Sequence, residues 1–577
     1  MKSASRPALL ALGLIVTGVC HAQGLEQPER DSGFVPKPAV NATRAMIVTA
    51  NPHATATGLQ VLREGGSATD AAIAAVLALN VVEPQSSGLG GGAFALSLDA
   101  RSGRIVAWDG RETAPAAVDE NLFVTPNGEE MAFFDAVLGG RSVGVPGLAR
   151  LLADMHVREG RLPWARLFEP AIDLAEKGFE VSPRLHRLIQ ADGFLRRDGA
   201  ARAFFFDEAG QPLAVGTRLR NPPLAAVLRE LATSGADAFY FGAIADDIVA
   251  AARAQPNAGM LAGEDLAAYR VVQREALCGP YRRWQVCGMP PPSSGGGTVL
   301  SILGMLQRFP LAELAPESVF PTHLFAEAGR LAYADRDAWY GDPQMMRVAP
   351  SALLDAGYLE ARAGQIPLDV SAGHVEPGRP AGTAANRAQI ELEQPATTHV
   401  SVVDPDGNAV ALTASIENAF GSRRMVRGFL LNNHLTDFSF RPADERGPHP
   451  NRVGPGRRPR SSMAPTLVFD AGGRLHAVLG SPGGSQIINY VAATLVGVLD
   501  WGLAPDAVLA RPHAGSRNGP TEVEQGEAGA AIAHRLQLFG HRTVLGELTS
   551  GIGLIVRAPD GWRGAADPRR EGTAAGF

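Results

Sequence analysis

Residues 396–422 read ATTHVSVVDPDGNAVALTASIENAFGS and set two adjacent threonines, Thr397 and Thr398, at the head of an apolar alternating run. Threonine is an ordinary strand residue, and it is also a nucleophile when it heads a chain. The α-amine of an N-terminal threonine, with an ordinary pKa of about 7.7–8.0, takes the hydroxyl proton directly or through water. That amine exists only once the Ala396–Thr397 bond is cut. The Thr397 hydroxyl can begin the cut by attacking the Ala396 carbonyl, giving an ester that water opens. Thr398 is the second choice for the same role.

The turn formers Asp404, Pro405, Asp406, Gly407 and Asn408 predict a hairpin. With Val403 opposite Ala409, Thr397 falls opposite Ser415; a slip of one residue would bring Ile416 there instead. Directly opposed residues hold their Cβ atoms about 4.5–5.5 Å apart, so the Ser415 hydroxyl is placed to orient that of Thr397.

The elements that must hold this hairpin are legible in outline. Residues 46–82 read as a strand, a turn and two helices, with Gly65 and Gly66 ending the first helix. Two strands meet at Ala100–Gly103, and residues 145–252 are mostly helical, punctuated by prolines. The segment 353–395 loses its long apolar runs and reads as an exposed linker, and the tail after Trp562 reads as polar and loose. The last large helix, within SQIINYVAATLVGVLDWGL, is apolar on nearly every side and is expected to be buried between layers.

The 577 residues are 19% charged and 45% apolar with a net charge of −6, the balance of a soluble globular chain. Length alone suggests about two to four domains. The basic residues form no long block, which argues against nucleic acid as a partner. Residues 1–22 have the plan of a secretory signal: Lys2 and Arg6, an apolar run from Ala8 to Val19, and a small-residue exit at Ala22. A lipid anchor through Cys20 is the lesser reading. No later run has membrane length, so an exported protein, periplasmic or secreted and without a stable membrane anchor, is expected. Cys278 and Cys287 then remain, flanking a short hairpin; a bridge and two thiols both stay open.

Further motifs share an order with the hairpin. VLREGGSATDAAIAA, SSGLGGGAF, GRETAP, PPSSGGG and AYADRDAWYGDP precede it, and GFLLNNHLTDFS, RPRSSMAPTLVF and LGSPGGSQIINY follow. Together they resemble the γ-glutamyltranspeptidase family over roughly Ala45 to Trp562. The resemblance implies an α+β fold, the four-layer αββα sandwich of N-terminal-nucleophile hydrolases, self-cleaved into large and small subunits. These would be residues 23–396 and 397–577, which overrules the domain count from length.

The resemblance makes Thr397 the nucleophile and Ser415 its hydroxyl partner, and assigns Gly483 and Gly484 to an oxyanion hole. It puts Arg111 on the donor's α-carboxylate beside Ser461 and Ser462, and Asp437 on the α-ammonium. Three positions depart from the family's usual residues: Ser415 for threonine, Glu417 for asparagine, and His434 for glutamine or glutamate. Glu417 either strengthens ammonium binding or pairs with His434. The segment between Asp437 and Ser461 lacks the tyrosine of lidded members, so an open pocket is expected.

The activity implied is that of a γ-glutamyltransferase and glutathione hydrolase, with γ-glutamyl compounds as donors and water or an amino acid as acceptor. A β-lactam-acylase-type enzyme on the same fold is the alternative, and a non-catalytic binding protein is a third reading. There is no His-Glu-x-x-His and no clustered ligand spacing, so no metal or other cofactor is expected.

Overall fold

The computed structural model describes residues 32–383, 396–445 and 447–577. The expected leader and the end of the segment before Thr397 lie outside the described residues. Two antiparallel seven-stranded sheets stack face to face between helices, the α+β architecture expected.

Sheet I runs in the order Thr573–Gly576, Met46–Thr49, Ala396–Val403, Ala409–Glu417, Gly92–Asp99, Arg104–Gly110, Val272–Arg274. Sheet II runs Val40–Ala42, Gly561–Ala566, Gly553–Ala558, Leu475–Gly480, Thr466–Phe469, Trp284–Gly288, Leu277–Tyr281. Helices Pro52–Arg63, Ala68–Val82 and Leu148–Glu159 pack on the outer face of sheet I, and Gly295–Leu306, Val319–Trp339 and Ile487–Leu499 pack with sheet II. Ser67 and Asp70 cap the Ala68–Val82 helix reciprocally, and its small apolar side chains leave every residue buried.

Strand alternation decides what each face of sheet I offers. Val400, Val402, Val410, Leu412 and Ala414 join the core under the outer helices, whereas Val403, Ala409 and Ala411 join the core between the sheets. Thr397, His399, Ser401, Thr413 and Ser415 share the second parity and so face sheet II. The His399 ring fills the gap between the sheets: a Cβ on Gly480 would come within 2.3 Å of it. Ser401 ties the layers by donating to the Gly553 carbonyl at 2.9 Å.

Two expectations about loose segments need correction. The tail after Trp562 is built in: Gly561–Ala566 and Thr573–Gly576 are sheet strands, and Asp567, Arg569 and Arg570 between them are buried. Its polar residues are paired with partners rather than solvated; Arg569, for example, bridges Glu524 at 2.6 Å. The segment from 353 carries helix Ala356–Ala363, whose buried Arg362 pairs with Asp335 at 3.0 Å, so its first part is not an exposed linker. Cys278 and Cys287 are register partners on neighbouring strands and form a disulfide.

Candidate active site

The register of the hairpin is the one the turn predicts, Val403 opposite Ala409 and Thr397 opposite Ser415, with an irregularity just before Thr397. The Thr397 hydroxyl donates to Ser415 Oγ at 3.2 Å, and Ser415 Oγ donates to the Ala396 carbonyl at 2.7 Å. The Glu417 amide donates to the same Ser415 oxygen at 2.9 Å. Ser415 is thereby held in one rotamer with its proton aimed at the bond preceding Thr397. Thr398 sits on the opposite face beside the buried Glu83, and alternation removes it from the pocket. That settles which of the two threonines faces the pocket.

A small pocket opens over Thr397 and Ser415. Arg111, Asp437, Ser461, Ser462, Glu417, His434 and Gly484 line it together with Met463 and Ile487, which the sequence reading did not single out. Arg111 is fully buried at the end of strand Arg104–Gly110, where its guanidinium donates to the carbonyls of Pro459 at 3.2 Å and Arg460 at 3.0 Å. It also forms an ion pair with Asp437. Asn451 holds Asp437 from behind, donating to its carbonyl at 2.6 Å. Arg336 donates to the Ser462 hydroxyl at 2.7 Å, and Ser294 donates to the Ser461 carbonyl at 2.8 Å. No described residue between Asp437 and Ser461 lines the pocket.

The departing residues do not pair with one another. Glu417, at a positive φ of 78°, accepts from the Asn433 amide, while His434 Nδ1 lies 2.9 Å from Glu112 Oε1. Burial pushes the Glu112 carboxyl up to about 8, against the pull of Arg111. Burial, then the Arg111 charge, holds the His434 imidazole well below its usual range. Both shifts favour neutral groups.

Gly483 and Gly484 both take positive φ, 133° and 58°, in the turn between strand Leu475–Gly480 and helix Ile487–Leu499. A Cβ on Gly483 would lie 2.5 Å from the Tyr490 ring, so this turn requires glycine there. Gly484 lines the pocket, and Gly483 directly precedes it in the turn.

Several neighbours escaped the sequence reading. Glu112 and Asn433 adjoin Arg111 and His434 in motifs already singled out, and Arg336 lies in AYADRDAWYGDP. Arg570, in the tail read as loose, donates to the Thr397 carbonyl at 3.3 Å. Away from the pocket, His323, Glu327 and His541 bring three ligand atoms within 4.8 Å, a grouping that sequence spacing did not show. Hydrogen bonds already use these atoms: His323 Nδ1 lies 2.7 Å from His541 Nε2, and Glu327 accepts from Ser371 at 2.8 Å and Arg330 at 3.2 Å. Among the described residues, no helix is long and apolar enough to cross a membrane.

Known proteins carry the same fold and order. The solved structure of a cephalosporin acylase from Bacillus halodurans matches with a TM-score of 0.81 and 28% identity, over 94% of this chain and 97% of that one. The glutathione hydrolase proenzyme of Escherichia coli (strain K12) is 35% identical, with 97% of each chain covered. The acylase ACY 1 proenzyme of Pseudomonas sp. (strain SE83) is 34% identical over 93% of this chain and 94% of that protein. Residues 54–577 match the family described as Gamma-glutamyltranspeptidase. The chain belongs to the γ-glutamyltranspeptidase family, on the N-terminal-nucleophile hydrolase fold.

Proposed function

We propose that the protein is an exported γ-glutamyltransferase and glutathione hydrolase that cuts itself before Thr397 into residues 23–396 and 397–577. In the cut, Thr397 Oγ1 bonds to the Ala396 carbonyl carbon, the C–N bond breaks, and the freed α-amine takes the proton. Ser415, donating to the Ala396 carbonyl at 2.7 Å, stabilises the charge that develops on that oxygen. Water then opens the ester, leaving Ala396 as a carboxylate and Thr397 as a free N-terminus.

In turnover the α-amine of Thr397 draws the hydroxyl proton as the oxygen attacks a γ-glutamyl amide. Gly483 and Gly484 amides receive the oxyanion, the leaving amine takes the proton, and a γ-glutamyl ester remains for water or an amino acid to accept. The observation that carries the donor assignment is the buried Arg111–Asp437 ion pair in the pocket that Thr397 lines. An α-amino acid head carries both complementary charges and exchanges one ion pair for two, with the planar guanidinium suited to a carboxylate.

The second reading is an acylase for other amides. It is favoured by His434, which burial and the Arg111 charge keep neutral in the pocket wall near Asp437. Purified, processed protein assayed side by side with glutathione, γ-glutamyl anilides and acyl amides decides between them. Turnover of glutathione and transfer to added dipeptide are expected. Cleavage of acyl amides without γ-glutamyl turnover would replace the first reading by the second.

A further inference from the structure

The strand that carries Thr397 is supported unevenly. On one side Ala396–Val403 pairs with Ala409–Glu417 along its length, but on the other the ladder with Met46–Thr49 runs only from Val400 to Val403. Asp404 donates across the hairpin to the Asn408 carbonyl, so by alternation the backbone groups of Thr397 point away from the hairpin partner, toward the short side. There the ladder has already ended. Cutting before Thr397 would remove its covalent tether at the same place.

The segment between strands Gly561–Ala566 and Thr573–Gly576 fills the gap. Gly572 passes the end of Met46–Thr49 so closely that a Cβ on it would lie 2.4 Å from the Thr49 carbonyl oxygen. Lys37 fastens the segment, donating to the carbonyls of Asp567 at 3.0 Å and Gly572 at 2.6 Å. Arg570 is buried there, and its guanidinium forks: Nη1 donates to the Thr397 carbonyl at 3.3 Å, and Nε to the Ser550 carbonyl at 3.2 Å. A side chain thus supplies Thr397 with the donor that a neighbouring strand supplies further along. The next residue, Gly551, donates its amide to Ser481 Oγ at 3.2 Å. A Cβ on Gly551 would lie 2.6 Å from the Pro482 ring and 2.7 Å from the Arg570 stem, so the three are packed together. Ser481 and Pro482 lead directly into Gly483 and Gly484.

We propose that Arg570 is a positioning residue that replaces the missing strand and ties Thr397 to the turn of Gly483 and Gly484, holding nucleophile and oxyanion donors at one separation once Ala396 is cut away. This rests on the acyl-transfer reading of the same site. Before the cut, the peptide bond to Ala396 holds Thr397 from the N-terminal side. Afterwards the hairpin partner and Arg570 hold it. An error of about 1 Å in the attacking atom costs on the order of a hundred-fold in rate, so such a tie matters to the chemistry. Arginine suits the task because its guanidinium stays ionised and its planar fork reaches two carbonyls in a fixed geometry. Arg570 touches no substrate atom, and its role belongs to turnover more than to self-cleavage.

The test compares wild type with Arg570→Met, which keeps the stem without donors, and with Arg570→Lys. Self-cleavage is followed by gel over time, and turnover with γ-glutamyl-p-nitroanilide or the acyl anilide that the wild type cleaves. Arg570→Met should process within about three-fold of wild type yet lose roughly ten- to a hundred-fold in kcat, with KM within about two-fold. Arg570→Lys keeps the charge and one contact and should recover part of that loss. Normal kcat in processed Arg570→Met overturns the proposal. So does a loss carried by KM alone, or a loss in self-cleavage as deep as the loss in kcat. If Arg570→Met fails to fold, Arg570→Lys decides: a lowered kcat at normal KM supports the proposal, and a kcat equal to wild type overturns it. No turnover of either donor class by processed wild type overturns both this inference and the function it rests on.

Discussion

Ser415 Oγ stands between Thr397 Oγ1, 3.2 Å away, and the Ala396 carbonyl oxygen, 2.7 Å away. One hydroxyl thus contacts both the attacking oxygen and the oxygen on which negative charge forms. It can relay between them without moving, because the Glu417 amide pins it from a third side.

Self-processing should therefore depend on both hydroxyls to different degrees. Wild-type protein is expected to give bands near ~39 and ~19 kDa, from a mean of about 0.105 kDa per residue, the smaller beginning Thr-Thr-His-Val. Thr397→Ala should remain one chain. Ser415→Ala should slow processing about ten-fold, the worth of one hydrogen bond to a developing charge, and Ser415→Thr should restore it. A smaller fragment with any other first residue removes Thr397 from the role.

Arg111 has protein partners besides a donor's carboxylate, so its loss should be felt twice. Arg111→Ala leaves Asp437 buried beside an unfilled space, and the Tm of the purified protein should fall. KM for γ-glutamyl donors should rise roughly ten- to a hundred-fold, since a charged contact is worth about 1.5–3 kcal/mol. Unchanged KM in a folded variant excludes Arg111 from substrate binding.

Asp437→Asn separates ammonium recognition from the chemistry of the acyl transfer. The variant should lower kcat/KM for γ-glutamyl-p-nitroanilide roughly ten- to a hundred-fold and leave the glutaryl analogue within about two-fold. Equal losses on both donors would make Asp437 a support for Arg111 rather than an ammonium ligand.

His399 predicts an acid limit. Enclosed between the sheets and bonded to Thr413 at 2.9 Å and Ser401 at 3.0 Å, it is held neutral by burial, with its pKa lowered to about 3. The unfolded chain binds a proton near pH 6.5 and the folded chain does not, so stability is full above about 6.5 and falls as pH drops toward about 3. Going from pH 7 to pH 5 should cost about 2 kcal/mol for this group. Urea unfolding of the uncleaved Thr397→Ala chain at both pH values measures it, and a further His399→Gln change should reduce the loss. An equal loss with and without His399 would assign it to other buried histidines.

The hairpin shows how far the sequence alone reaches. Five turn residues and an alternating run set the pairing of Thr397 with Ser415, because antiparallel register is local: it depends on the turn and on a period of two. The ordered motifs likewise named Arg111, Asp437, Ser461, Ser462 and Gly484, all of which line the pocket. What alternation could not say from within the hairpin is which face meets the second sheet. Tertiary packing of sheet I on sheet II turned Thr397 toward the pocket and Thr398 toward Glu83.

The rest was decided by partners far away in the chain. Arg570 looks like a solvated tail residue until its strand neighbours dock and its guanidinium meets the Thr397 carbonyl. His434 and Glu417 are close enough in sequence to suggest a pair, yet His434 found Glu112, more than three hundred residues earlier, and Glu417 found Asn433. A buried polar group takes whichever neighbour the packed backbone presents, and where burial is complete it gives up its charge instead. Composition and spacing determine the strands, the turn and the residue types of the site, whereas only the closed sandwich determines which of them become neighbours.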